Sequence, residues 1–142
     1  MWVKEFTGES AAAPGQVFDV LADVAHWAEW NEGVADVRMH GPFAAGTTAE
    51  MVFPDGSALP FLFTWVEAPA GYEDLTEMPD EGVAVRVRHA LTPSLEGAGT
   101  VITYRCEVEG PDEIVAAVGE AVTEDFDAVI SALARRAAVR VG

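Results

Sequence analysis

Hydrophobic and polar positions along the chain follow two different periods, and the switches between them mark out the elements. Trp2 to Glu9 alternates loosely, consistent with a first strand. After the small-residue stretch Ser10 to Ala13, Pro14 suits the first position of a helix. Val17, Phe18, Leu21 and Val24 then recur at helical spacing. The segment DVAHWAEWNEGV, Asp23 to Val34, follows directly as a second short helix. Trp27 and Trp30 fall on one side of it, and Asn31 and Gly33 stop it. Bulky rings at a helix-to-strand junction suit the lip of a buried apolar cavity, and equally a cap on the core.

Extended runs bounded by turn residues come next: Val34 to His40, Thr47 to Phe53, Ala58 to Glu67, Tyr72 to Glu77, Val83 to Leu91 and Gly99 to Val108. The links are short, which favours an antiparallel meander over crossover units. Gly110-Pro111 opens a long final helix with Asp112 and Glu113 in its first turn and Arg135, Arg136 and Arg140 near its end, complementing the helix dipole. Ile114, Val118, Val122, Phe126, Val129, Leu133 and Ala137 form one apolar stripe along it. A stripe this long is buried, and a curved sheet is the available partner. The order predicts a single α+β domain over residues 1–142: a curved antiparallel sheet wrapped around a long C-terminal helix, with two short helices between strands 1 and 2.

Four stretches, APGQVFDVLADVAHWAEWNEGV, GPFAAGTT, VRVRHALTP and GTVITYRCEVEGP, together with the final helix, are similar in order and spacing to the START-like, or SRPBCC, superfamily. Within it the chain resembles the polyketide cyclase/dehydrase-type proteins over nearly its whole length. The resemblance implies a helix-grip fold with an internal cavity between the sheet and the long helix. It implies less about chemistry, because the superfamily includes cyclases, lipid carriers and hormone receptors.

Composition narrows the class. At 142 residues and 15.1 kDa the chain is long enough for a real core without staples. Twenty-four Asp and Glu against 8 Lys and Arg give a formal charge of −16, which repels phosphate backbones and anionic lipid, so neither nucleic acid nor membrane insertion is expected. Cys106 is the single cysteine, excluding an intramolecular disulfide and a Cys-rich zinc site. No apolar run reaches the roughly 20 residues of a membrane span, and the start lacks a signal-peptide layout; the expected location is the cytoplasm.

Strand parity then selects candidate chemistry. In Val83 to Leu91, Val83, Val85, Val87, His89 and Leu91 oppose Arg86 and Arg88, which points His89 inward. Tyr104 joins it on the last strand with Ile102, Cys106 and Val108. Tyr72, Asp74 and Thr76 are assigned to the inside of their strand, making Asp74 an inward carboxylate with a raised pKa. Ala58 to Glu67 resists sorting, since Phe61, Phe63 and Trp65 oppose Leu62, Thr64 and Val66. An exposed Phe63 and Trp65 would favour a homodimer. Glu50 is read as a surface residue. His26, His40 and His89 are widely spaced with no ligand motif, so no metal and no cofactor are expected.

Three functions fit. The favoured one is binding of a hydrophobic small molecule, such as a polyketide, an aromatic metabolite or a lipid, by Trp27, Trp30, Phe61, Tyr72, Thr76, Val87, Val122 and Phe126, with His89 and Tyr104 fixing orientation. The second is an aromatase/cyclase in which His89 is the base, Tyr104 the donor and Asp74 an orienting or relaying group. Against it, Arg86, Arg88 and Arg105 all read as outward, leaving no anchor for an enolate. The third is a protein-interaction or stress-response module with a vestigial cavity. His89 carries a structural alternative too, as a core histidine satisfied by a neighbouring hydroxyl or carbonyl.

Overall fold

The structure, a computed structural model, describes residues 1–141 and the side chains of residues 1–139, so the side chain of Arg140 lies outside it. Seven antiparallel strands form one sheet: β1 (Trp2–Ser10), β2 (Asp36–Met39), β3 (Thr48–Val52), β4 (Ala58–Glu67), β5 (Gly71–Met78), β6 (Val83–Pro93) and β7 (Thr100–Glu109). Their spatial order is β1-β7-β6-β5-β4-β3-β2. Strands β2 to β7 are the expected meander. The chain reaches it from β1, on the opposite edge, through α1 (Pro14–Ala22) and a 3₁₀ turn over Val24–Glu29. This is the helix-grip arrangement anticipated from the sequence, and no helix among the described residues is long and apolar enough to cross a membrane.

Pro14 opens α1, and the Ala13 amide donates to the Gln16 side chain while the Gln16 and Val17 amides bond back to Ala13. The apolar face so set, Val17, Phe18, Val20 and Leu21, is buried. Ser10 donates to the Ala134 carbonyl and Thr100 to the Ala12 carbonyl, which ties the turn between β1 and α1 to both the final helix and β7.

The concave face of the sheet carries two apolar clusters. One gathers Val17, Leu21, Trp27, Phe63, Ile102 and Leu133 under α1 and the end of the chain. The other, Val83, Val85, Val87, Cys106, Val108 and Val115, closes the far end. Phe126 packs against both. The parities read for β5, β6 and β7 hold: Val83, Val85, Val87, His89 and Leu91 are buried, as are Ile102, Tyr104, Cys106 and Val108. On the convex face Glu73 accepts hydrogen bonds from Arg86 at 2.9 Å, Arg88 at 2.8 Å and Thr64 at 2.9 Å.

Two features add to the expectations. Phe63 is not a surface residue: it is completely buried, and the alternation of β4 breaks at a β-bulge. Phe63 lies opposite Asp74, but Trp65 lies opposite Glu73 and Val66 opposite Tyr72, so Thr64 is the extra residue and inner and outer positions exchange there. Phe61, Phe63 and Val66 face the core; Trp65 faces outward beneath the Arg88 guanidinium, 4.3 Å from its ring. The apolar patch invoked for a homodimer thus shrinks to one covered ring. Second, the final helix is bent into α2 (Asp112–Thr123) and α3 (Phe126–Val141), separated by Glu124 and Asp125. Thr123 bonds back to the Gly119 carbonyl at 2.8 Å just before the bend, a contact that loosens helical geometry. Glu50 takes the outward side of β3, opposite Arg38, and approaches His40 at 3.8 Å.

Candidate functional site

Between the concave face and the bend of the final helix lies a cavity of about 740 Å³. Trp30, Asn31, Gly33 and Val34 line it from the segment after the 3₁₀ turn, and Glu124, Asp125, Phe126, Ala128 and Val129 from the bend. Val122 belongs to the second apolar cluster and Val129 to the first, Phe126 packs against both, and all three line the space at the bend.

All the residues selected from the sequence border this one cavity: Trp27, Trp30, Phe61, Tyr72, Asp74, Thr76, Val87, His89, Tyr104, Val122 and Phe126. Their depths differ. Trp27 is a core residue as well as a wall: it is 3% exposed, its indole N–H donates to the Leu21 carbonyl at 2.9 Å, and its ring stacks on Tyr72 with centroids 5.7 Å apart. Trp30 is half-buried on the cavity wall.

The polar centre is built by register. Tyr72 lies directly across from His89, and His89 directly across from Tyr104. The Tyr72 and His89 rings stack with centroids 3.9 Å apart and planes 12° from parallel, while Tyr104 meets His89 edge-on at 4.4 Å. Gly71 makes this register possible: its φ is +136°, and a Cβ there would coincide with the His89 carbonyl oxygen.

Electrostatics fix the protonation states. The His89 Nδ1–H donates to the Tyr72 carbonyl at 3.2 Å, the only direction possible with a carbonyl partner. Burial holds the imidazolium down to about 3, so the ring is neutral and its Nε2 carries a lone pair. No buried side-chain nitrogen or oxygen among the described residues lacks a partner, so the unbonded Nε2 is open to the cavity. The same holds for the Tyr72 and Tyr104 hydroxyls, whose pKa values burial raises, with Asp74 adding to the rise at both. The Asp74 carboxyl, inward on β5 with no hydrogen-bond partner, is pushed up to about 7, mainly by burial and further by Glu73. Burial also pushes the Cys106 thiol up to about 12, which keeps it inert.

Sequence reasoning missed part of the wall. Met51, Phe53 and Leu59 reach the cavity from β3, β4 and the turn joining them, where the alternation was ambiguous. Asp125, its pKa raised by partial burial, and Glu124 stand at the bend. The signal was present as two adjacent acids interrupting the stripe between Val122 and Phe126. His26 lies away from the cavity, bonded to Asp23 at 2.7 Å, and among the described residues no cluster of three His, Cys, Asp or Glu is arranged to hold a metal ion.

The family model described as polyketide cyclase / dehydrase and lipid transport matches residues 1–138. Among solved structures, a norcoclaurine synthase point mutant from Thalictrum flavum, in complex with a transition state analogue, superposes with a TM-score of 0.80 at 17% identity, over 99% of this chain and 96% of that one. A START superfamily protein from Mycobacterium smegmatis gives 0.72 at 14% identity, over 95% and 96% of the two chains. The di-domain ARO/CYC StfQ from the steffimycin biosynthetic pathway gives 0.74 at 17%; the match covers 99% of this chain and 52% of StfQ. No curated protein matches the chain. At these identities the structural likenesses establish the fold.

Proposed function

The chain belongs to the polyketide cyclase / dehydrase and lipid transport family, and from that premise we propose that it binds a hydrophobic small molecule with an aromatic body and at least one polar head. The observation that carries this reading is the cavity itself, about 740 Å³ with mostly apolar and aromatic walls and a few polar groups from the sheet and the bend. That is the size and character of a small-molecule site. Trp27, Trp30, Phe61, Tyr72, Val87, Val122 and Phe126 supply apolar area, worth about 25 cal/mol per Å² removed from water. Thr76, His89 and Tyr104 orient the head.

The test is native mass spectrometry of freshly purified protein, followed by titration with hydrophobic aromatics while tryptophan emission is monitored. Retained ligand, or saturable quenching abolished by Val87→Phe, which projects a ring into the cavity, is the expected result. Emission indifferent to every compound, with no retained mass, would sink the reading.

One observation favours catalysis as a second reading. A carboxyl near neutrality is poised to exchange protons at working pH, whereas His89 at about 3 is not. In a cyclase the base is then Asp74, with Tyr104 holding the enolate oxygen, rather than the His89 base expected from the sequence. Deuterium exchange at the activated methylene of a 1,3-diketone should accelerate with the protein and fall to background in Asp74→Asn. Equal rates for the two proteins would remove Asp74 from the chemistry.

A further inference from the structure

The walls of the cavity are unusual in the sign of what they carry. Asp74, Glu124 and Asp125 line it, and among the described residues no lysine or arginine does. The basic residues of the sheet are turned away: Arg86 and Arg88 grip Glu73 on the convex face, and Arg105 is held by Glu5 and Glu107. The interior thus has no counter-charge of its own for a carboxylate.

The hydrogen-bonding groups nearest Asp74 are all able to accept. His89, 6% exposed, has already committed its Nδ1–H to the Tyr72 carbonyl and offers only the Nε2 lone pair. Asp74, when ionised, offers only acceptors. The Tyr72 and Tyr104 hydroxyl oxygens accept as well as donate, and both side chains are more than nine-tenths buried without a hydrogen-bond partner. An ammonium group is the complementary head: a positive charge with several N–H donors and no acceptor. Aromatic faces around it add cation–π attraction, and the −16 charge of the chain concentrates cations at the mouth.

Building on the small-molecule reading above, we infer that the cavity selects organic cations, specifically arylalkyl-ammonium compounds, with Asp74 as counter-ion and His89 Nε2 and the tyrosine hydroxyls as acceptors. Anionic and phosphate-bearing ligands, including acyl groups tethered to a phosphorylated carrier, are rejected by the same charges. Binding is coupled to pH, because the cation needs the carboxylate form of Asp74. The titratable groups facing Asp74 are Tyr72 and His89 on the neighbouring strand positions, Tyr104 and Cys106 on β7, and Asp125 and Glu124 across the cavity; Glu73 acts on it through the sheet. Burial and the charge of Glu73 bring the Asp74 carboxyl up to about 7, so it answers to pH near neutrality.

Three compounds of one shape test this: 2-naphthylmethylammonium, 2-naphthalenemethanol and 2-naphthoate, titrated calorimetrically at pH 7 in two buffers of different ionisation enthalpy. The ammonium should bind about tenfold or more tighter than the alcohol, and the naphthoate most weakly. Comparison of the buffers should show release of about half a proton per ammonium bound, since the carboxyl starts near half-protonated with its pKa at about 7. Asp74→Asn, checked for folding by its thermal melt, should bring the ammonium down towards the alcohol and abolish the proton release. Equal affinities for alcohol and ammonium, or no proton release by the wild-type protein, would overturn the cation inference while leaving small-molecule binding intact. Failure of all three compounds to bind would count against both.

Discussion

Replacing Asp74 by asparagine should make the protein more stable at pH 8, although it alters the centre of the cavity. In the unfolded chain the carboxyl ionises near 3.8; in the folded protein it does so at about 7. Between those values the native state holds a proton that the unfolded state has lost, so stability falls as pH rises. The total loss on the alkaline side is about 4 kcal/mol, an upper bound because the open cavity admits solvent. His89 works in the opposite sense. It titrates at about 3 when folded and near 6.5 when unfolded, so over that range the unfolded chain holds the extra proton and stability rises with pH, by about 5 kcal/mol at most. From roughly pH 4 to pH 6.5 the two slopes oppose each other, and the wild-type contribution from this pair is nearly flat. Asparagine removes the falling member and exposes the rise. Urea unfolding of both proteins from pH 4 to pH 9 should show the variant's advantage growing from near zero at acid pH to a plateau above neutrality. A difference independent of pH would refute the argument, because it would mean that the carboxyl has the same pKa in both states.

Other perturbations probe the frame around the site. Gly119→Ala places a methyl group inside the Trp2 ring, which lies against this glycine; a net loss of about 1–3 kcal/mol is expected in thermal unfolding, partly relieved by Trp2→Leu in the same chain. Glu73→Gln weakens the bonds from Arg86 and Arg88, at about 1–2 kcal/mol because both arginines are exposed to solvent. The Glu73 pKa is lowered overall: burial, the largest influence, pushes it up, but hydrogen bonds from Arg88, Arg86 and Thr64 outweigh it. The cost of that variant, measured in urea, should therefore shrink as pH falls through the folded carboxylate's pKa. Trp27→Phe leaves the Leu21 carbonyl without its indole donor and should cost about 1–3 kcal/mol, with a loss of buried tryptophan emission as the independent readout.

Much of this frame is legible in the sequence, for a reason visible in β6. Arg86 and Arg88 cannot share a face with Val85, Val87 and His89 in a strand covered on one side, so two charges suffice to orient nine residues. β7 inherits the same certainty through Tyr104, and β5 through the exclusion of Glu73 from the cavity. β4 escaped because alternation is a two-fold rule and a bulge breaks it. Thr64 adds one residue, so Phe63 and Val66 face the same side although they are three apart. Nothing in FLFTWVE distinguishes that arrangement from a regular strand apolar on both faces. The protonation states lay further beyond reach. An inward histidine is readable, but its tautomer depends on the Tyr72 carbonyl standing within hydrogen-bonding distance of Nδ1, which follows from register.

The bend in the final helix carries the same lesson into function. The spacing from Ile114 to Ala137 describes one continuous apolar stripe, and an unbroken straight helix laid on the sheet along that stripe would run its side chains across the space above Asp74 and His89. Two adjacent acids at Glu124 and Asp125 interrupt it instead. Just before them, Thr123 turns its hydroxyl back onto the Gly119 carbonyl, one turn earlier. The halves then serve different clusters: Val115 and Val118 pack with Trp2 over Val85 and Val108, while Val129, Ile130 and Leu133 pack with the cluster around Ile102 and Leu21. What lies between is the cavity, with Val122 and Phe126 at its two sides and the acids at its edge. The residues at the bend thus add to the negative charge that Asp74 brings to the cavity. Neutralising both, as Glu124→Gln with Asp125→Asn, should weaken the preference for cations while Asp74 retains part of it.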